Sequence, residues 1–234
     1  MNTNIFKLIM AIIALFFAVA TTNAQQAETM YIMKNGKATH EIAISDIDSI
    51  TFYNPFPDSV EINGVVWATR NVGAPGTFVG NPEDFGMYYQ WNSTVGWNST
   101  IPPVSIPNGS VWNSSWTGNG ATTWETTNNI CPAGYRVPTY AEIQSLTSAG
   151  SQWTTINGVN GRIFGSGDNT IFLPAAGDRD YNKLYAVGTT GEYWSSDGGT
   201  ALSSRALTLP FENTGVFYLN ALRWAGLPVR CVAE

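Results

Sequence analysis

Residues 91–129 combine flat aromatic side chains with amides and hydroxyls, and these are the groups that sugar recognition requires. An aromatic ring covers the apolar C–H face of a pyranose, and amide or hydroxyl groups fix its orientation through hydrogen bonds. The candidate ligand-binding residues are Trp97, Trp112, Trp116, Trp124, Asn98 and Asn113. The sequence leaves one alternative open, in which the same tryptophans are buried as a local core for a long loop.

Side chains suited to catalysis are sparse. His40 is the only histidine, so neither a serine–histidine pair nor a zinc site is indicated for residues 59–234. Asp178 and Asp180 meet the minimal need of a glycosidase for two acids, but we expect Asp178-Arg179-Asp180 to form a turn with local ion pairing. We predict no catalytic residue, no metal site and no cofactor, and we expect the protein not to be an enzyme.

The elements that must position these residues are mainly short strands. Runs of β-forming residues are bounded by Gly, Pro or Asn, and Asn-Gly pairs at 63–64 and 157–158 indicate tight hairpin turns. The predicted strands are residues 59–62, 65–68, 169–173, 191–196, 201–209, 215–219 and 228–233. The pattern predicts an α+β, β-rich domain.

One helix is well indicated. Thr139 and Glu142 have the spacing of a capping box, Ile143 and Leu146 share one helical face, and Gly150 lies just past the end.

A small β unit is predicted ahead of this domain, over residues 25–53. The runs TMYIM and ATHEIAI flank KNGK, which favours a hairpin, and DSITFY predicts a third strand. NPFPD, residues 54–58, contains two prolines and is the predicted linker to the domain at 59–234.

The N-terminus has the pattern of a secretory signal peptide, residues 1–24. Lys7 precedes an apolar run over residues 8–20, and small residues precede the expected cleavage after Ala24. A retained anchor is the alternative, but the run is shorter than the 17 or so residues of a usual spanning helix. We expect export to the periplasm, cell surface or exterior, without membrane insertion of the mature chain.

The charge balance bears on partners. Charged residues make up 12% of the chain and the net charge is −6, so the basic surface of a nucleic-acid-binding protein is missing. We expect a neutral partner, a carbohydrate or a surface protein.

Cys131 and Cys231 are the only cysteines. In an exported chain we expect them to form a disulfide, which the chain-entropy argument makes stabilising by about 4 to 5 kcal/mol for so long a loop. The alternative, a reactive Cys131, needs a nearby base or a lowered thiol pKa.

Several motifs, in fixed order from about residue 60 to the end, resemble the Fibrobacter succinogenes major paralogous domain family of exported proteins, chiefly from Bacteroidota. The motifs are VEINGVVWATRNVGAPGTF, PEDFGMYYQWN, NICPAGYRVPTYAEIQSL, NGVNGRIFGSG, IFLPAAGDRD, EYWSSD and PVRCVAE. The leader MYIMKNGKATHEIAISDIDSITFY also resembles an N-terminal segment frequent in exported Bacteroidota proteins.

The CPAGYRVPT block and the final VRCV strand are similar, more distantly, to formylglycine-generating enzymes. This resemblance implies a C-type-lectin-like (sulfatase-modifying-factor-like) fold, in which strands from both ends of the domain meet in a small sheet and long loops carry binding. The catalytic pair of late cysteines is missing here, as is the calcium and sugar motif of animal lectins.

The sequence therefore predicts an exported, non-catalytic binding domain that recognises a glycan or protein at the cell surface. The alternatives are a structural component of a surface assembly and an enzyme of the sulfatase-modifying fold with altered chemistry.

Overall fold

The computed structural model describes residues 29–34, 36–46, 59–199 and 204–234. The chain divides into two compact units, Met1–Asn54 and Pro55–Glu234. The expected signal peptide (1–24), the third strand of the small unit (48–53) and the linker (54–58) lie outside the described residues.

The first unit contains an antiparallel hairpin. Strand β1 is Thr29–Lys34 and β2 is Lys37–Ala43, followed by a 3₁₀ turn at Ile44–Asp46. Gly36, between the strands, has φ +75°, as a tight turn requires. Tyr31 and its two successors are exposed, so the described hairpin presents apolar side chains to solvent.

The second unit contains sixteen strands and one α-helix within its described residues. The strands are β3 Ser59–Ile62, β4 Val65–Ala68, β5 Tyr88–Tyr89, β6 Gly96–Trp97, β7 Ser105–Ile106, β8 Tyr135–Arg136, β9 Ser151–Ile156, β10 Val159–Ser166, β11 Asn169–Pro174, β12 Asp178–Asp180, β13 Lys183–Tyr185, β14 Thr190–Gly198, β15 Arg205–Glu212, β16 Gly215–Val216, β17 Leu219–Leu222 and β18 Val232–Ala233. The helix, α1, is Tyr140–Ser148. The α+β, β-rich class is confirmed.

These strands form several small antiparallel sheets. The strand orders are β3-β4-β18-β8, β5-β6-β7, β9-β10-β11, β12-β13 and β14-β15-β16, with β17 also paired to β15. The turns between β3 and β4 and between β9 and β10 have positive φ at both central residues, 51° and 80° at Asn63-Gly64 and 49° and 83° at Asn157-Gly158. The two Asn-Gly hairpin predictions are therefore confirmed.

Local sequence signals determine both ends of α1. The Thr139 side chain accepts from the Glu142 backbone N–H at 3.2 Å, and a Glu142 carboxylate oxygen accepts from the Thr139 backbone N–H at 2.7 Å. This is the predicted capping box. The helix buries Ile143 and Leu146 in a core shared with strands β10, β11, β14 and β15, which fixes its exposed face.

The last strand of the unit, β18, lies between its second strand, β4, and β8. Val232 of β18 pairs with Trp67 of β4 and, on its other side, with Arg136 of β8. The predicted disulfide between Cys131 and Cys231 is present, and both sulfur-bearing residues are buried in the main core.

Two of the buried arginines, Arg230 and Arg179, donate to acceptors other than carboxylates. Arg230 donates from Nε to the Asn71 amide oxygen and from its terminal nitrogens to the carbonyls of Ala68 and Phe172, at 2.9 to 3.1 Å. Burial lowers the pKa of Arg230 to about 10, so it remains a cation at neutral pH. Arg179, with no exposed surface, is the second.

The segment at Arg179 differs from the expected turn with ion pairing. Residues 178–180 form β12, and Arg179 donates to the backbone carbonyls of Tyr181 and Thr100. Among the described residues it has no ion pair with Asp178 or Asp180. Its terminal nitrogens therefore bond to backbone carbonyls, whereas its Nε is buried without a hydrogen-bond partner among the described residues.

Two of the predicted strands are interrupted. The run at 215–219 divides into β16 and β17 opposite Pro210 of β15, which accepts from the Phe217 backbone N–H at 2.9 Å but has no N–H to donate in return. The run at 228–233 is a strand only at β18.

None of the helices in the described part of the chain has the length and apolarity needed to span a bilayer.

Candidate functional site

The tryptophan-rich stretch at 91–129 is largely folded onto the domain. Trp97, Trp112 and Trp124 are only 3%, 9% and 7% exposed. The first two pack edge to face in a small core with Tyr88, and Trp124 packs in the main core against Trp91. These three rings have no face open to a ligand in this structure, which corresponds to the buried alternative left open by the sequence.

The other predicted residues have their hydrogen bonds within the loop. Trp116 is half-buried and donates from its indole nitrogen to the Trp91 carbonyl at 2.7 Å. The Asn98 amide oxygen accepts from Thr100 and Val104, and the exposed Asn113 accepts from Ser115. The stretch is organised by its own amides.

An open groove lies between α1 and the sheet of β14, β15 and β17, and residues 120–122 of the tryptophan-rich stretch form part of its lining. Its volume is about 520 Å³. The lining residues are Gly120, Ala121, Thr122, Tyr140, Ala141, Gln144, Asp197, Gly198, Gly199, Leu207 and Arg223. The helix contributes one wall and the end of β14 contributes the other, because α1 packs on the β15 face that carries Leu209 and Phe211.

Asp197 connects the groove to the start of the helix. Its Oδ2 accepts from the backbone N–H of Tyr140, the first helical residue, at 2.6 Å. A carboxylate in this position stabilises the positive end of the helix dipole. Oδ1 of Asp197 has no hydrogen-bond partner among the described residues, so one acceptor remains for a ligand.

Arg223 lies at the floor of the groove and is 2% exposed. Its guanidinium stacks on Trp91 at 4.2 Å, Nε donates to the Arg205 carbonyl, and Nη1 donates to the carbonyls of Thr117 and Ala121. Nη2 has no hydrogen-bond partner among the described residues. It is also not among their fully buried side-chain nitrogen and oxygen atoms that lack a partner. The groove lining therefore includes a rigidly held cation with one donor nitrogen that is unpaired in the described part of the chain.

The absence of a side chain at Gly198 leaves room for Nη2 of Arg223. A Cβ placed on Gly198 would lie 2.4 Å from Arg223 Nη2 and 2.8 Å from the Thr122 carbonyl oxygen. Any side chain here would displace the guanidinium or the backbone beneath it, so the groove floor depends on this glycine.

Two tyrosines form an aromatic edge beside the groove. The rings of Tyr140 and Tyr218 meet edge to face at 6.4 Å, and the Tyr218 hydroxyl lies 3.1 Å from the Thr147 hydroxyl. Tyr218 is 59% exposed, so much of its ring is open to solvent. Burial and the neighbouring Tyr218 raise the pKa of Tyr140, which keeps its hydroxyl protonated at neutral pH.

The lining offers binding groups without the constellation of a hydrolase. It contains one carboxylate, one guanidinium, one amide and one aromatic ring, and neither a histidine nor a cysteine. No group of three metal-ligating side chains occurs within the described ranges. The arrangement can accept and donate hydrogen bonds and can stack on an apolar face.

Sequence reasoning missed these groove residues. The capping box predicted the helix start and hence the place of Tyr140 and Gln144 on one helix. No local signal connects Asp197 or Arg223 to that helix, because long-range strand pairing brings them together.

No protein-family model matches the chain, no curated protein matches its sequence, and no solved structure matches it.

Proposed function

We propose that this protein is an exported, non-catalytic binding domain that recognises a glycan or a protein at the cell surface. The observation that carries the proposal is the groove, where Asp197 Oδ1 and Arg223 Nη2 retain unused hydrogen-bonding capacity beside an exposed aromatic ring. Binding sites of this size class combine a few fixed polar groups with apolar or aromatic walls.

We further propose membership of the Fibrobacter succinogenes major paralogous domain family, with a C-type-lectin-like fold. The adjacency of β4 and β18 supports this, because that fold joins strands from both ends of the domain in one small sheet. The helix that follows the CPAGYRVPT block supports it as well. A fold hosts many functions, so the site carries the functional argument.

Export is supported by two independent features. The N-terminal 24 residues have the signal-peptide pattern, and Cys131 and Cys231 are joined in a disulfide, which persists in oxidising compartments.

A direct experiment tests the proposed function. The chain, as processed on export, is incubated with immobilised polysaccharides and with surface protein from the producing cells, and bound protein and soluble products are both quantified. Saturable binding without turnover is the expected result. Release of shortened or modified glycan would overturn the non-catalytic assignment in favour of an enzyme with altered chemistry.

A structural role in a surface assembly has its own supporting observation. Tyr31, Ile32 and Met33 on β1 are exposed, and apolar side chains on a strand offer a surface on which a partner can add its own strand. Deleting residues 25–57 separates the two functions. Ligand binding persists under the first proposal, whereas incorporation into the assembly fails under the second.

A further inference from the structure

We propose that the groove between α1 and the β14–β15–β17 sheet binds a neutral pyranose unit. In this assignment Asp197 and Arg223 hold neighbouring hydroxyl groups and Tyr218 covers the ring. The inference rests on the proposed binding function and names the ligand class and the residues of its site.

The first step is hydrogen-bond complementarity. A sugar hydroxyl both donates and accepts, whereas a carboxylate only accepts and a guanidinium only donates. Asp197 Oδ1 and Arg223 Nη2 are the two groups of the lining that combine charge with unused capacity. A pair of adjacent hydroxyls satisfies both, one donating to the carboxylate and one accepting from the cation.

The second step is rigidity. Asp197 is held by the helix backbone at 2.6 Å, and Arg223 is held by three carbonyls and by its stack on Trp91. Groups fixed before binding lose little entropy when the ligand arrives. The polar pair is therefore preorganised rather than recruited from flexible surface chains.

The third step is charge. The lining carries one carboxylate and one guanidinium, which offset each other, and the whole chain carries a net charge of −6. An acidic sugar would place its carboxylate near Asp197 and would be repelled by the chain as a whole. The balance favours an uncharged sugar over a uronic or sialic acid.

The fourth step is the aromatic edge. Tyr218 is 59% exposed and is positioned against Tyr140 at 6.4 Å, so one aromatic surface borders the groove opening. An aromatic face of this kind packs on the C–H face of a pyranose.

The test measures the affinity of the processed full chain for neutral gluco-, manno-, galacto- and xylo-oligosaccharides and for oligogalacturonate by titration calorimetry. Tyr218→Ala removes the ring. Asp197→Asn retains an oxygen for the Tyr140 N–H but removes the anionic acceptor. Tyr185→Ala is the matched control, because Tyr185 is 43% exposed and lies on β13, which contributes no residue to the groove, whereas Tyr218 contacts the groove residue Tyr140.

We expect a neutral oligosaccharide to bind and each groove variant to weaken it about tenfold, while Tyr185→Ala leaves the affinity unchanged. Neutral-glycan binding that survives both groove variants would move the site elsewhere and overturn this inference while leaving the proposed function intact. Binding of oligogalacturonate alone would overturn the ligand class. Binding of a surface protein and of no glycan would overturn the pyranose assignment but not the binding function.

Discussion

Two regions of this protein are rich in aromatic and polar side chains, and they use them in opposite ways. In the stretch at 91–129 the tryptophans are buried and the amides bond to nearby backbone. Beside the groove the Tyr218 ring is largely exposed, and Asp197 Oδ1 and Arg223 Nη2 have no hydrogen-bond partner among the described residues. Aromatic density therefore marks a core as readily as a site, and unused hydrogen-bonding capacity is the better sign of a ligand.

The largest expected effect is a loss of stability on substitution of a buried tryptophan in residues 91–129. Trp97→Ala should lower the free energy of unfolding by about 3 to 5 kcal/mol, because it empties a packed position against Trp112. Denaturant titration measures the loss. The affinity of the remaining folded protein for a groove ligand should be unchanged, and a fold-independent loss of affinity would return Trp97 to the binding site.

A milder pair of substitutions compares the contributions of the Trp97 and Trp124 indole nitrogens to stability. The Trp124 nitrogen donates to the Asn128 carbonyl at 2.9 Å, whereas the Trp97 nitrogen is buried without a partner among the described residues. Trp124→Phe should therefore cost about 1 to 2 kcal/mol more than Trp97→Phe. Denaturation midpoints at equal slope give the difference, and an equal or reversed order would contradict it.

The helix wall of the groove should respond to pH. Burial acts to raise the pKa of Glu142, but hydrogen bonds from Arg136 and Thr139 outweigh it and leave the pKa lowered. Glu142→Gln should cost about 1 kcal/mol at neutral pH. Because the pKa is depressed in the folded state, this advantage is present above the ordinary carboxyl pKa and disappears as the pH falls through the folded-state value.

Denaturation of wild type and Glu142→Gln from neutral to acidic pH gives that dependence. Two curves that stay parallel would show that the carboxylate charge contributes nothing to the helix.

The smallest change in the free energy of unfolding is expected for a substitution beside the groove. Tyr218→Ala should alter the free energy of unfolding by no more than about 0.5 kcal/mol, because the ring is mostly exposed. Thermal denaturation beside Tyr185→Ala provides the comparison. A cost equal to that of a core tryptophan would place Tyr218 among the structural aromatics and erase the contrast between the two regions.

The parts that followed from sequence are those with local causes. Asn63-Gly64 and Asn157-Gly158 require positive φ wherever they lie, and Thr139 with Glu142 closes its capping box within one turn. Arg179, Arg223 and Arg230 could not be assigned in this way. Most of their acceptors are backbone carbonyls distant in sequence, which carry no residue-specific signal.

The division of the tryptophans into buried and half-buried has the same origin. Trp97 and Trp116 look alike in sequence, and strand β6 takes one inward while the other rests on the Trp91 carbonyl. The six predicted contact residues stay a prediction as a binding set, and the groove residues were visible only once β14, β15 and β17 had been placed beside the helix.

The disulfide has a mechanical meaning. The bond between Cys131 and Cys231 closes a covalent ring of chain that contains Tyr140, Gln144, Asp197, Tyr218 and Arg223. Residues 91–129 lie outside this ring. Tension applied to the ends of the second unit must pass through the bond between the two sulfurs, so it can pull out the tryptophan-rich stretch but cannot extend the segment that bears those five groups. The Arg223 guanidinium, however, stacks on Trp91 and donates to the carbonyls of Thr117 and Ala121, which lie outside the ring. Extension of the stretch therefore removes the supports of Arg223 while the helix and strands inside the ring stay joined.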